Sequence, residues 1–319
     1  MPEALVRTGT RIVAACVFLL LIAGALVTST QSGLAVPDWP LSYGKVMPPM
    51  VGGILYEHGH RLVAAAVSTL VGLELGTLLF FVEGKKTVKR LAAAAFAAIL
   101  LQALLGGLTV LFLLPPAISS AHAALAEIVF ALTAVVALMC SKTWADLTIS
   151  RSSLPLEEDL RIPSKGGQAG AALRWTVLAT GAIYVQIILG AVMRHTGAGL
   201  AIPDFPTFFG GLFPSFAELS GPGVPIHLAH RLGAVVVVLL VARAAFMLSR
   251  LPGPGFATAA AAWTGLVCLQ SLLGAASVWS LKAVPLTVAH LATGALCWVT
   301  GVLLAVALAA GFSDKLARD

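Results

Sequence analysis

Four of the seven histidines in this chain fall into two matched pairs, and a carboxylate stands beside only one pair. The densest cluster is Tyr56-Glu57-His58-Gly59-His60-Arg61, just ahead of an apolar run that begins at Leu62. A partial copy, His227-Leu228-Ala229-His230-Arg231, precedes a second apolar run about 170 residues later. Charged and imidazole groups at a membrane boundary are costly and mark a functional site by default. His122 and His290 complete the set, each at the outer end of a later apolar segment.

His60 and His122 belong to segments running in the same direction, and so do His230 and His290, so the spacing predicts two imidazoles at one depth in each half. Such a pair can meet across a planar ligand, which is the arrangement for bis-histidine haem ligation. Interhelical hydrogen bonding, worth about 1 kcal/mol per contact, is the plainer use of one membrane histidine. Zinc wants about four ligands, and only Glu57 and His58 add to the first pair. Under an offset of 170, Glu57 aligns with His227 and His58 with Leu228. Glu57 is therefore expected to act as a general base, or to stabilise positive charge developing on a substrate. His58 is two residues from His60, points elsewhere on a helix, and is read as a supporting residue. Arg61 and Arg231 stand at the outer interface, where they can hold carboxylates such as haem propionates or simply snorkel. Gln102 and Gln270, each four residues before a glycine, read as polar packing contacts. Glu74 and Arg243 lie at similar depth and suggest a buried pair between the halves.

These groups need elements to position them, and the composition says which. The 319 residues are 59% hydrophobic and 11% charged, against roughly 45–50% and 25% in soluble domains. The chain is expected to be an all-α polytopic membrane protein. Eight apolar segments, at 10–28, 61–82, 91–112, 118–140, 175–193, 230–249, 256–279 and 286–310, each approach the ~20 residues needed to span hydrocarbon. The net charge of +6 sits in membrane-flanking loops and does not indicate nucleic acid. With the N-terminus inside, fifteen Lys and Arg residues fall on the inner side and five on the outer. This puts both termini in the cytoplasm and both histidine motifs at the outer face.

The chain also repeats itself. Gly24-Ala25-Leu26-Val27 leads to Gly33-Leu34-Ala35-Val36-Pro37-Asp38-Trp39-Pro40, and Gly190-Ala191-Val192-Met193 leads to Gly199-Leu200-Ala201-Ile202-Pro203-Asp204-Phe205-Pro206, at an offset of 166. Gln102-x-x-x-Gly106 and His122 recur as Gln270-x-x-x-Gly274 and His290, at 168. The internal copy of the first segment argues that this segment is a retained helix, although Arg7 and Arg11 ahead of it resemble a leader. Two four-helix bundles related by a pseudo-twofold along the membrane normal are expected. They divide as 1–140, a cytoplasmic linker 141–174 containing Pro155, Pro163, Gly166 and Gly167, and 175–319. The outer loops, about 29–57 and 194–227, are long enough to be functional. Cys16, Cys140, Cys268 and Cys297 all fall in or beside apolar segments, and no CxxC or CxxCH occurs.

Taken together, these residues resemble the haem A synthase family over nearly the whole chain. The resemblance rests on the doubled Gly-Leu-Ala-x-Pro-Asp-x-Pro loops, Glu57-x-x-His60-Arg61, and the histidines on segments 4, 6 and 8. It implies a prosthetic haem b on His230 and His290 in the C-terminal half. It implies a substrate site for haem O at His60, His122 and Arg61 in the N-terminal half, with Glu57 catalytic. The reaction implied is oxidation of a haem O methyl group to a formyl through hydroxylated intermediates, for cytochrome oxidase biogenesis. Haem O synthase and a membrane electron acceptor are the implied partners, and a homo-oligomer is compatible with it. Many relatives carry a cysteine pair in the outer loop; here those positions are Val36 and Ser42, and Ile202 and Phe208 in the second loop.

Two other functions would use the same histidines: a dihaem b-type cytochrome exchanging electrons with quinol, and a non-catalytic haem carrier. Neither explains the single Glu57. The absence of an amphipathic, Arg-rich leader points to a bacterial cell membrane.

Overall fold

The structure is a computed structural model that describes residues 3–145, 167–251 and 254–310. Among them stand eight helices long and apolar enough to cross a membrane. They are α1 (Glu3–Ser29), α2 (Gly53–Phe81), α3 (Lys86–Leu111), α4 (Pro116–Met139), α5 (Gln168–His195), α6 (Val224–Ser249), α7 (Pro254–Trp279) and α8 (Val284–Ala310). The described residues form no strand, only isolated bridges. The chain is thus an all-helical, multi-pass membrane protein. α1 is a full 27-residue helix packed on its neighbours. Most of the expected 141–174 linker, with Arg151, Pro155, Arg161, Pro163, Lys165 and Gly166, lies outside the described residues, as do Lys315 and Arg318.

The helices are longer than their apolar runs. α2 begins at Gly53 instead of 61, and α6 at Val224 instead of 230. The 29 residues of α2 span about 43 Å at 1.5 Å per residue, well beyond the ~30 Å of hydrocarbon. The reason is that the polar residues preceding the runs do not face water. They are satisfied by the folded outer loops, so the helix continues outward through them. Each of these two helices starts after a glycine with positive φ, Gly52 and Gly223, a conformation that only glycine adopts without strain. Pro116 and Pro225 sit in first turns, where a missing N–H costs nothing.

Packing arranges the helices in two closed rings. α1 packs on α2, α2 on α3, α3 on α4 and α4 back on α1; α5, α6, α7 and α8 repeat the pattern. The rings meet where α1 and α4 touch α8 and where α4 touches α5. The core sits toward the end of each ring away from the histidines. Val71, Val136, Met139 and Leu78 pack in the first, and Trp263, Val241, Leu248 and Ala179 in the second. Trp263 anchors the second by donating its indole N–H to the Cys297 carbonyl at 2.8 Å.

The expected Glu74–Arg243 pair does not form. Both Glu74 carboxylate oxygens are buried without a hydrogen-bond partner, while Arg243 is exposed and lies over the Trp175 and Phe246 rings. The topology explains this: α2 packs on α1 and α3, whereas α6 packs on α5 and α7, so similar depth did not mean proximity.

Candidate functional site

His60 is seven residues into α2, and His122, His230 and His290 are each six residues into α4, α6 and α8. All four thus lie nearly two turns inside their helices, deeper than the apolar runs suggested. α2 and α4 are opposite members of the first ring, and α6 and α8 of the second. His60 and His122 lie within electrostatic reach of each other, and so do His230 and His290.

A glycine lies under each imidazole on the neighbouring odd-numbered helix. A Cβ added to Gly24, Gly106, Gly190 or Gly274 would stand 3.2, 3.1, 2.9 and 3.1 Å from Cε1 of His60, His122, His230 and His290, respectively. In all four, Cε1 is the nearest ring atom; Nδ1 is next and Nε2 last in three, and at Gly24 the two nitrogens of His60 are equidistant at 3.8 Å. The ring pose is the same four times. The missing side chain lets the imidazole lie against the neighbouring backbone. The glycines were visible in the repeat, but their role as imidazole seats was not. Gln186, four residues before Gly190, was missed altogether, though its spacing matches Gln102 and Gln270.

The outer loops are held by one clasp made twice. In the first, Glu57 accepts from the Val36 amide at 2.8 Å and from Arg61 at 2.6 Å. Arg61 also donates to the Asp38 and Leu41 carbonyls at 2.7 and 2.9 Å. In the second, His227 Nδ1 accepts from the Ile202 amide at 3.1 Å and its Nε2 lies 3.3 Å from Arg231 Nε, while Arg231 donates to the Asp204 and Thr207 carbonyls at 2.5 and 2.9 Å. Every atom pair is shifted by 166 or 170 residues. Glu57 and His227 are both buried, at 3% exposure. The carboxylate and the imidazole therefore occupy equivalent places.

Within each loop an aspartate closes a tight turn. Asp38 accepts from the Tyr43 and Gly44 amides at 2.6 and 2.8 Å, and Asp204 from those of Phe209 and Gly210, both at 2.8 Å. The Gly44 amide foremost, then that of Tyr43 and the Arg61 charge, hold the Asp38 carboxyl below its usual range. Asp204 is held down to about 2, first by the Thr207 hydroxyl and then by the Gly210 and Phe209 amides. Trp39 of the first loop lies on Gly107, beside the glycine that seats His122; an added Cβ there would stand 2.7 Å from its indole ring. The second loop is closed by Trp279, which donates to the Phe205 carbonyl at 2.9 Å.

The remaining candidates take definite places. Ser42 hydrogen-bonds His58 Nδ1 at 2.7 Å. The four cysteines are free. Among the described residues, no three His, Cys, Asp or Glu side chains converge on a metal site. Arg194 reaches from α5 to α1, donating to Ser29 Oγ at 2.5 Å. At the contact of the rings, Tyr184 donates to the Ala124 carbonyl at 3.2 Å and packs on Trp298 at 4.8 Å between centroids. Trp298 donates to the Glu127 carbonyl at 3.2 Å.

Each ring of helices carries two imidazoles on opposite members, each with its Cε1 edge against a glycine of a neighbouring helix. The family model COX15-CtaA, described as a cytochrome oxidase assembly protein, matches residues 52–302. The chain is similar to the Heme A synthase of Symbiobacterium thermophilum, with 31% identity over 91% of this chain and 90% of that protein. It is similar to the Heme A synthase of Geobacillus kaustophilus, with 30% identity over 71% and 66%. To that of Bacillus pumilus it has 28% identity over 85% of each.

Proposed function

The chain belongs to the COX15-CtaA family of cytochrome oxidase assembly proteins, and from that premise we propose that it is a haem A synthase. It is an oxidoreductase that converts a methyl group of haem O to a formyl in a bacterial cell membrane. The observation that carries the reading is the exchange of Glu57 for His227 inside otherwise matching clasps. One half has a buried carboxylate three residues before a candidate ligand; the other has an imidazole there.

On this reading the chain has two functional halves, 1–140 and 175–319, joined through the 141–174 segment. His60 and His122 bind the substrate haem O, and His230 and His290 hold a prosthetic haem b. When bound, the haem b supplies a one-electron redox centre beside the substrate. Both sites face the outer side, with the termini in the cytoplasm.

The residues then have separable tasks. Glu57 is the catalytic group: it holds negative charge beside the substrate, stabilises positive charge developing there and takes up a proton. Arg61 aims that carboxylate through an ion pair largely withdrawn from solvent. Arg61 and Arg231 bind the outer loops over the two sites, keeping water out and leaving positive charge at the rim for haem propionates. In the second half His227 takes over the clasp without bringing a negative charge. The haem O source and the electron acceptor are separate membrane partners.

Co-expression with a source of haem O, followed by pigment extraction from wild type and Glu57→Ala, tests the reading. Haem A is expected from wild type only, with the prosthetic haem retained in both. Unchanged haem with fast quinol-linked reduction would indicate a cytochrome instead, and neither result would indicate a carrier. Normal haem A from Glu57→Ala would remove Glu57 from the mechanism.

A further inference from the structure

Beyond the clasps, the two outer loops carry the same exposed tip. Ser42 and Lys45 exchange both backbone hydrogen bonds at 3.0 Å, and Phe208 and Gly211 do so at 2.8 and 3.0 Å. The residues between them, Tyr43-Gly44 and Phe209-Gly210, all have positive φ, as a tight two-residue hairpin turn requires. Each turn leads into an apolar pair followed by proline, Val46-Met47-Pro48 and Leu212-Phe213-Pro214, at the offset of 166. Val46 and Met47 are 75 and 61% exposed, and Leu212 and Phe213 are 83 and 75% exposed. Phe216 follows at 88%, opening the one-turn helix Phe216–Leu219, which a Ser215–Glu218 capping box fixes. Hydrogen bonds thus shape both tips around side chains that the described residues leave bare.

The clasps set the height of these tips. Arg61 and Arg231 stand one residue before the apolar runs that begin at Leu62 and Leu232. α2 and α6 continue outward past them for about 12 and 10 Å, at 1.5 Å per residue. The loops return to the arginines, which hold the Asp38 and Leu41 carbonyls in the first and the Ile202, Asp204 and Thr207 carbonyls in the second. Trp279, the last residue of α7, also ties Phe205 to a helix end, through a hydrogen bond at 2.9 Å and an edge-to-face contact at 6.0 Å. The turns therefore hang at the edge of the apolar zone, the level where tryptophan rings settle in membranes. Between Asp204 and Arg231 the one Asp, Glu, Lys or Arg is Glu218, and its carboxylate is engaged by the Ser215 amide at 2.6 Å. Apolar side chains bared in water are a liability, whereas at a bilayer surface they are an anchor.

We propose that both tips, Val46-Met47 and Leu212-Phe213 with Phe216, insert into the adjoining lipid leaflet. The partner is the bilayer itself, recognised by burial of apolar side chains and not by charge. Each clasp fixes its loop to a helix, and each tip fixes the same loop to the lipid. The inference concerns a surface outside the histidine sites and holds whatever those sites bind.

The test uses full-length protein with p-benzoylphenylalanine in place of Met47 or Phe213, reconstituted into phosphatidylcholine liposomes and illuminated. The same replacement at Leu272, which is exposed within the span of α7, sets the reference yield of lipid adducts. Mass spectrometry is expected to find lipid adducts at both tips within threefold of that reference. A lower yield at either tip, or cross-linking mainly to a second copy of the chain, overturns the proposal. Val46 and Leu212 provide a second position on each tip where a first variant fails to assemble.

Discussion

Glu57 and His227 occupy the same place in two copies of one loop clasp: each accepts a backbone amide, from Val36 and Ile202, and each lies against an arginine, Arg61 and Arg231. A carboxylate and an imidazole can fill the same structural role, so structure alone does not require Glu57 to be acidic. Its charge is available for chemistry.

That equivalence predicts the outcome of Glu57→His. The imidazole should accept from the Val36 amide as His227 does from that of Ile202, with Arg61 still held by the Asp38 and Leu41 carbonyls, so the outer loop stays folded while formyl formation is lost. Glu57→Ala should lose both, since it leaves the Val36 amide and Arg61 without their buried acceptor, at a cost of about 1–3 kcal/mol. Thermal melting and pigment analysis of the two variants together separate clasp from chemistry.

The glycine seats predict graded damage. Gly190→Ala puts a methyl 2.9 Å from His230 Cε1, closer than Gly24→Ala does to His60 at 3.2 Å. Overpacking of this kind costs about 1–3 kcal/mol. Gly190→Ala should strip the haem held in the second half, and Gly24→Ala should weaken binding in the first half less severely. Pyridine haemochrome content against circular dichroism would check that the helices survive while haem is lost.

Arg231→Lys should release the second outer loop. A lysine cannot reach the Ile202, Asp204 and Thr207 carbonyls and His227 together, as the guanidinium does. Limited proteolysis should cut within 203–213 in the variant at least tenfold faster than in wild type, with the membrane helices intact.

The same loop should depend on pH in one direction only. The Asp204 carboxyl is lowered from 3.8 to about 2, so its contribution is fully present above pH 3.8 and is lost as pH falls through about 2. Peptic cleavage of the loop should be slow at pH 4 and accelerate towards pH 2. Asp204→Asn should be cut readily at pH 4.

Glu74 should be dispensable for stability. Its oxygens are buried without partners, and a buried polar group without a hydrogen bond is a cost. Glu74→Leu should leave the melting temperature unchanged or raise it by a few degrees. A fall of more than a few degrees would show that the carboxyl has a stabilising role.

The eight helices, the doubled loop motif, the four histidines and the unmatched Glu57 were legible in the sequence because membrane hydrophobicity and an internal repeat both leave periodic marks in composition. What the spacing could not carry was adjacency. Glu74 and Arg243 matched in depth but stand on helices that do not pack together. Gln186 matched its counterparts in spacing, yet its value lies in a contact to His230, 44 residues away. The seats under the imidazoles and the two clasps are relations between separate elements of the fold. They depend on which faces meet when two rings close, and that is decided by packing the whole chain, with no trace in any single segment.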